Sequence, residues 1–290
     1  MENFNKFNQS KIMSELKKSA AQNIVLKLFD KIDSTNEQAK KYVLSNNNEL
    51  NKIIKDRVVV FAADFQLAGR GRRGSDWFSD DPASIAVSFL FKPEANIDKI
   101  PQITAAAALA VKDTFEFFGL ETCLKWPNDI LVSDKKICGI LSELVLNKRK
   151  EAFVIIGCGI NLNNKKFGSR IEKIATSYLQ EKNIKIDKNL FLARLIEQIR
   201  FYIINYLNDR REMIIDLWKK TLDLAGKKID FTHKNEKQTG VIKKIMDNGD
   251  LSVLLADGQE IKLQSYNTSL DYQSLKKYNN CSQEGAKNEF

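Results

Sequence analysis

Two apolar runs, Ile137 to Leu146 and Glu151 to Ile160, are rich in Ile, Leu and Val and stand only a few residues apart. Their length and proximity predict one long, buried hairpin, and a buried hairpin needs further layers to cover it. The rest of the chain supplies candidates. Ile24 to Ile32 alternates apolar residues with Lys and Asp, Val58 to Ala63 is a strand of the fully buried type, and Ser84 to Phe91 follows as another. Glu121 to Trp126 and Ile130 to Val132 read as short strands, the second leading into a tight turn at Ser133-Asp134-Lys135-Lys136. Helical spacing is found from about Ile100 to Phe118, from Asn189 to Leu207 and from about Arg210 to Leu222. A helix is also expected from Ser34 to about Leu44, because Ser34 with Glu37 three positions later has the form of a capping box. The Asn-rich stretch after Leu44 reads as a loop.

Beyond Gly226 the pattern changes to four short alternating segments, Ile229 to His233, Thr239 to Met246, Leu251 to Leu255 and Glu260 to Leu263. Asp247-Asn248-Gly249-Asp250 and Asp257-Gly258 are hairpin signals. A small β-barrel is the economical reading, and everything after Tyr272 is polar and expected to fray. Residues 1–22 are polar, with one short helical pattern around Ile12, Met13 and Leu16. That segment is too short for an independent DNA-binding domain.

The strand at Val58 to Ala63 delivers an unusual segment, Gln66-Leu-Ala-Gly-Arg-Gly-Arg-Arg-Gly-Ser-Asp-Trp77. Gly69, Gly71 and Gly74 permit close backbone approach, and Arg70, Arg72 and Arg73 present forked donors suited to carboxylate or phosphate. A mobile cationic loop for an anion is one reading; a nucleic-acid-binding Arg-Gly run or a solvated basic turn is the other. The spacing is not that of a phosphate-binding P-loop, and no helix-forming segment opens where the glycines end, so the dinucleotide fingerprint is excluded too.

Composition narrows the class. With 290 residues, 43% hydrophobic and 29% charged, the chain has the make-up of a globular protein able to bury a sizeable core. The net charge of +9 is spread along the length, which favours an acidic partner in general without marking a concentrated stripe. Cys123, Cys138, Cys158 and Cys281 contain no Cys-x-x-Cys pair and read as free thiols. The single histidine, His233, reads as a strand residue. No leader and no apolar run near membrane-spanning length is seen, so a cytoplasmic location and no membrane partner are expected.

Three motifs taken together carry a resemblance. Asp33-Ser34-Thr35-Asn36, then Gln66 with Gly69-Arg70-Gly71-Arg72-Arg73-Gly74, then Lys125-Trp126-Pro127-Asn128-Asp129 with Lys136 and Gly139 resemble the biotin–protein ligases in order and spacing. The likeness spans roughly Ile24 to Leu263. It implies an α+β fold with a mixed β-sheet flanked by helices, like the catalytic domain of class II aminoacyl-tRNA synthetases, and an SH3-like C-terminal β-barrel. The corresponding domains would be residues 1–22 (polar segment), 23–224 (catalytic), 225–272 (SH3-like) and 273–290 (polar tail).

The resemblance also implies the activity: activation of biotin by ATP to biotinyl-AMP, with Mg²⁺, and transfer to a lysine of a biotin carboxyl carrier protein domain of a carboxylase. Ser34, Thr35, Asn36, Gln66, Gly69, Arg70, Gly71, Arg72, Lys136 and Gly139 would line the biotin site. Arg72, Trp77, Lys125, Asn128 and Asn161 would serve ATP, Asp129 the metal, and Lys136, Arg72 and Asp129 the chemistry. DNA is not an expected partner, because the DNA-binding module of the longer regulatory members has no counterpart here; a homodimer is as compatible as a monomer. Ser75 departs from members that place a basic residue there, which bears on how well the intermediate is retained. The rival readings are a lipoate or octanoate ligase of the same fold and, from another class, a basic nucleic-acid-binding protein.

Overall fold

The computed structural model describes residues 6–45, 57–75, 77, 82–93, 102–207 and 210–279. The Asn-rich stretch after Leu44, Asp76, the expected start of a helix at Ile100, Cys281 and the tail beyond residue 279 lie outside them. The chain divides into two compact units, Met1–Ile214 and Ile215–Phe290.

The first unit is built on a seven-stranded sheet. In chain order its strands are β1 (Ile24–Ile32), β2 (Val58–Gln66), β3 (Ser84–Phe91), β4 (Cys123–Lys125), β5 (Asp129–Val132), β6 (Lys135–Leu146) and β7 (Ala152–Asn161). Their spatial order is β1-β2-β3-β7-β6-β5-β4. Only β1 and β2 run parallel, so the sheet is mixed. The β6–β7 hairpin predicted by the two apolar runs is there, pairing Leu146 with Ala152 and Cys138 with Ile160.

Helices cover both faces. The short α1 (Gln9–Glu15) and α2 (Lys18–Ala21) precede β1, and α3 (Thr35–Leu44) follows it. Ala39 and Val43 of α3 bury against Val59, Phe61, Leu90, Phe153 and Ile155, all with no exposed surface. The Ala-rich α4 (Ile103–Phe117) lies on the opposite face, where Thr104 reaches Ser142 of β6 at 3.0 Å. Then come α5 (Tyr178–Lys182) and α6 (Lys188–Leu207), and the division between the two units falls within α7 (Arg211–Leu222). Phe115 of α4 meets Phe191 of α6 with ring centroids 5.1 Å apart. Among the described residues no helix is long and apolar enough to cross a membrane.

The capping-box expectation is corrected. Ser34 occupies the position before α3, yet its side chain makes no capping bond. Glu37 turns instead to Lys40 at 2.9 Å and to Arg70 at 3.2 Å, because two cations within reach outcompete a backbone amide for a carboxylate.

The second unit holds a five-stranded antiparallel sheet: β8 (Lys228–His233), β9 (Glu236–Ile245), β10 (Leu251–Leu255), β11 (Glu260–Leu263) and β12 (Thr268–Asp271), in the order β11-β10-β9-β8-β12. Ile229, Phe231, Ile242, Leu251, Val253 and Leu263 form its buried side. Both predicted hairpin glycines take left-handed backbone, Gly249 at φ 84° and Gly258 at φ 85°. Among the described residues the end strands β11 and β12 do not pair, so the expected barrel is an open sheet, with one strand more than the alternation signalled. Fraying after Tyr272 is likewise corrected. Tyr272–Asn279 forms α8, started by the Asp271 carboxylate, which accepts from Gln273 N–H at 3.0 Å, and tied to β8 by Asp230 N–H donating to Ser274 at 2.8 Å.

Candidate active site

On the α3 side of the sheet, side chains taper along β7. Phe153 and Ile155 fill the space under α3, and then Gly157 and Gly159 carry nothing at all. Residues two apart share a face, and residues paired across antiparallel strands do so too. Gly139 of β6 pairs with Gly159, and Ser88 of β3 pairs with Gly157, so three glycines and one serine make a bare, shallow bed beside the core. Glycines inside strands mark sites where another group approaches the backbone closely. Two side chains occupy this bed. The amide of Asn36 lies on Gly157, and the indole of Trp77 lies on Gly159; a Cβ on either glycine would overlap the side chain above it.

Lys136 reaches the same bed through an irregularity in β6. Asp129 pairs with Gly139 and Leu131 pairs with Lys136, so one residue, Ile137, is extra on β6. Without that bulge Lys136 would share the opposite face with Cys138; with it, Lys136 stands on the Gly139 side. Its ammonium lies 2.7 Å from Asp129 and 5.5 Å from the centre of the Trp77 ring. A Cβ on Gly139 would stand 2.9 Å from the Lys136 Cε and Nζ atoms. Buried Asn161 braces this corner, its side-chain amide donating to the Thr176 carbonyl at 3.0 Å and the Lys136 carbonyl at 3.4 Å.

A polar cluster borders the bed at the α3 end. Gln66 Oε1 accepts from Thr35 N–H at 2.8 Å and lies 3.0 Å from the Thr35 hydroxyl. Ser88 Oγ stands 2.7 Å from the Thr35 hydroxyl and 2.6 Å from Asn36 Oδ1. Asn36 Nδ2 donates to Glu143 at 2.7 Å, and Glu143 pairs with Lys40 at 2.8 Å. Lys40 is held above the ordinary lysine value: burial opposes its charge, but the bonds it donates to Glu143 and Glu37 outweigh it. Glu37 in turn is held below the usual carboxylate value, chiefly by its bond from Lys40. Ser34 is buried at the entry to the helix.

The Gly-Arg loop joins these two ends. Gly69 is fixed against Trp77, whose N–H donates to the Gly69 carbonyl at 2.9 Å, and a Cβ there would meet Gln66 and the Trp77 carbonyl. Gly71 N–H bonds Ser75 across a single 3-10 turn at Arg72–Gly74. Arg70 reaches back to Glu37, and Arg72 donates to Asn128 Oδ1 at 3.1 Å. Asn128 is pinned to β6 by its Nδ2 on the Ile140 carbonyl at 2.6 Å. Lys125, at the end of β4, pairs with Asp129 on the neighbouring strand. The Trp77 indole N–H is buried and has no acceptor among the described residues.

Apart from Ser34, which is buried just before α3, the residues the sequence singled out for biotin or ATP lie on the bed, in the polar cluster at its border, on the loop or in the hairpin corner beside it. Sequence reasoning missed Ser88, Gly157, Gly159 and Glu143, and the one available signal was two glycines spaced by one residue inside an apolar strand. For a metal the donor set is thin: among the described residues no three His, Cys, Asp or Glu side chains group together, and Asp129 is engaged by Lys136.

Comparison with known proteins gives a consistent set of likenesses. The chain is 39% identical over 162 residues to the bifunctional ligase/repressor BirA of Bacillus spizizenii, a match covering 55% of this chain and 47% of that protein. It therefore spans about half the length of that relative. It is 29% identical over 198 residues to the biotin–[acetyl-CoA-carboxylase] ligase of Mycobacterium tuberculosis, covering 67% of this chain and 72% of the other. Among solved structures, the biotin protein ligase from Aquifex aeolicus in complex with biotin and ATP aligns with a TM-score of 0.66 and 25% identity, over 86% of this chain and 99% of that one. The model of the biotin/lipoate A/B protein ligase family matches residues 28–161, the stretch that holds the bed, the loop and the Lys136 corner.

Proposed function

We propose that this chain activates biotin with ATP to biotinyl-5'-AMP and then transfers the biotinyl group to a lysine of a biotin carboxyl carrier protein domain. The observation that carries the reading is the bulge that turns Lys136 onto the glycine bed, between the Thr35–Gln66–Asn36 cluster and the Gly-Arg loop. A fused ureido ring needs polar partners at one end, which the Thr35–Gln66–Asn36 cluster provides. Ser34, Thr35, Asn36, Gln66 and Gly69 take the ring end, and Lys136, Gly139, Arg70, Gly71 and Arg72 the carboxylate end. Trp77, Lys125, Asn128 and Asn161 belong to the nucleotide side.

In the first step a biotin carboxylate oxygen attacks the α-phosphorus of ATP, the bond to the β-phosphate oxygen breaks, and pyrophosphate leaves. The nucleophile is already ionised near neutral pH, so no general base is needed. What opposes the step is the approach of two anions, and Lys136 and Arg72 supply fixed positive charge where it builds up. Mg²⁺ bound with the triphosphate would neutralise further charge, and Asp129 is the carboxylate this corner offers it, in keeping with a metal held by one carboxylate and substrate phosphates. In the second step the carrier lysine amine attacks the acyl carbon and AMP leaves. The amine gives up a proton, and Asp129 is the acceptor nearest to Lys136. The Gly-Arg loop excludes water from the acyl-adenylate while the carrier docks.

The test is ATP-dependent transfer of labelled biotin to a carrier domain, with labelled lipoate in parallel, since the family includes both chemistries. Transfer of biotin with lipoate inert is expected; lipoate transfer without biotin transfer would overturn the proposal. A nucleic-acid-binding role would instead show affinity for DNA falling with salt, at a log–log slope near −0.9 per neutralised phosphate.

A further inference from the structure

Lys136 lies past the end of its own hairpin. β6 pairs with β7 only as far as Cys138 and Ile160, and β7 ends at Asn161. Buried backbone groups without a partner are costly, so something else has to take the place of β7 beside Lys136. The chain returns to do this. Lys136 N–H donates to the Ile174 carbonyl at 2.8 Å, and the Lys136 carbonyl accepts from Thr176 N–H at 3.0 Å, a parallel bridge centred on Ala175. Asn161 ties the two chains together: its Nδ2 donates to the Thr176 carbonyl at 3.0 Å and to the Lys136 carbonyl at 3.4 Å. A carbonyl only accepts, so the nitrogen of that amide must face both. The returning segment is itself anchored. Thr176 and Ser177 are buried, the Thr176 hydroxyl bonds Glu181 of α5, and the Ser177 hydroxyl donates to the Asn164 carbonyl at 2.7 Å. No residue from 164 to 177 stands in the three sequence motifs.

We infer that Thr176 is a positioning residue for adenylate formation: its N–H, with the Ile174 carbonyl and the Asn161 amide, clamps the Lys136 backbone and so aims the Lys136 ammonium. Without the clamp, β6 would be held at Lys136 on one side only, by its pairing with Leu131 of β5. The bulge chooses the face on which Lys136 stands, and the clamp fixes where on that face its backbone sits. A side chain is no better placed than the backbone that carries it, and a misplacement of about 1 Å can cost ~10²-fold in rate. The inference rests on the proposed role of Lys136 in biotin activation.

The experiment measures biotin-dependent pyrophosphate exchange for the parent, Thr176→Pro, Asn161→Asp, and each of these combined with Lys136→Ala. Thr176→Pro lacks the N–H, and Asn161→Asp turns carboxylate oxygens toward two carbonyls. Tyr202→Phe, which loses a bond to Asp113 between α6 and α4, controls for loss of stability. Thr176→Pro is expected to lower kcat ~10- to 100-fold with KM for ATP within about threefold of the parent. Asn161→Asp is expected to lower kcat as well, and Tyr202→Phe to keep the parent value. In the Lys136→Ala background either substitution is expected to cost less than about twofold more, since a lysine that is absent cannot be misaimed. Should Thr176→Pro fail to fold, Asn161→Asp carries the same comparison. A parent kcat in either folded variant, a loss confined to KM, an equal loss in Tyr202→Phe, or losses that multiply with that of Lys136→Ala would each overturn the inference while leaving biotin activation standing. Absence of biotin-dependent exchange in the parent would overturn both.

Discussion

Lys136 stands on the bed because Ile137, itself fully buried, is the extra residue on β6. Its ammonium is shared with Asp129 at 2.7 Å, so the charge is aimed before any ligand arrives. Lys136→Ala is therefore expected to lower adenylate formation about 10²- to 10³-fold, the usual cost of losing one preorganised charge-stabilising group. Pyrophosphate exchange at saturating biotin is the measurement, and an unchanged rate would remove Lys136 from the chemistry. Arg72 has a second task besides its charge, since its bond to Asn128 ties the loop to the hairpin corner. Arg72→Gly should still make biotinyl-AMP, more slowly than the parent, and lose it, labelling lysines on bystander proteins; equal retention by variant and parent would remove that role. The thiols illustrate the reverse case. Burial pushes Cys158 up to about 12 and Cys138 well above the ordinary thiol value, whereas Cys123 is exposed. Iodoacetamide at pH 8 should modify Cys123 and leave the other two intact, as peptide mass spectrometry would show. Motif residues such as Lys136 and Arg72 were legible because their types are chemically loud. Ser88 and Glu143 were not, because a serine or glutamate inside a strand run is ordinary until its partners are known.

At the scale of elements, β7 carries the clearest division of labour, with Phe153 and Ile155 under α3 and bare glycines under Asn36 and Trp77. Gly157→Ala should drive the Asn36 amide off its seat, and overpacking of this kind costs about 1–3 kcal/mol. Biotin affinity, read by titration calorimetry, should fall tenfold or more and the melting temperature by a few degrees; unchanged affinity would mean that Asn36 can sit elsewhere at no cost. The long strands and helices were legible from apolar runs and helical spacing, because burial on both faces leaves a strong pattern. The capping box was misread because sequence shows that Glu37 could reach a backbone amide but not that Lys40 and Arg70 would stand closer. β12 was missed because Thr268-Ser-Leu-Asp271 has only one large apolar residue, and α8 because a polar helix held by Asp271 and Ser274 announces itself only through its partners. Pairing between distant strands is a tertiary fact, and so the open sheet of the second unit could not be told from a barrel by alternation.

Across the whole first unit, one buried cation joins three segments that are far apart in the chain. Lys188, at the start of α6, has no exposed surface; its ammonium lies 2.9 Å from Asp64 on β2, 3.0 Å from the Pro82 carbonyl just before β3, and 4.0 Å from the centre of the Phe7 ring. Phe7 N–H also donates to Asp64 at 3.2 Å, and Asn189 accepts from Asn8 N–H at 2.7 Å. The polar N-terminal segment is thereby tied to the strands on both sides of the Gly-Arg loop, a link that no local pattern could reveal. Taking one partner from a buried pair leaves an uncompensated charge and costs about 3–5 kcal/mol, whereas replacing both by apolar groups is often neutral. Lys188→Met should accordingly destabilise the first unit by that amount, and Asp64→Leu in the same chain should recover most of the loss. Hydrogen exchange on peptides from β2, β3 and α1 is the suitable readout, because it follows this unit separately from the C-terminal sheet. Protection in Lys188→Met within about 1 kcal/mol of the parent would show that Phe7, Asp64 and Pro82 are held by the surrounding packing, without need of the ammonium at their centre.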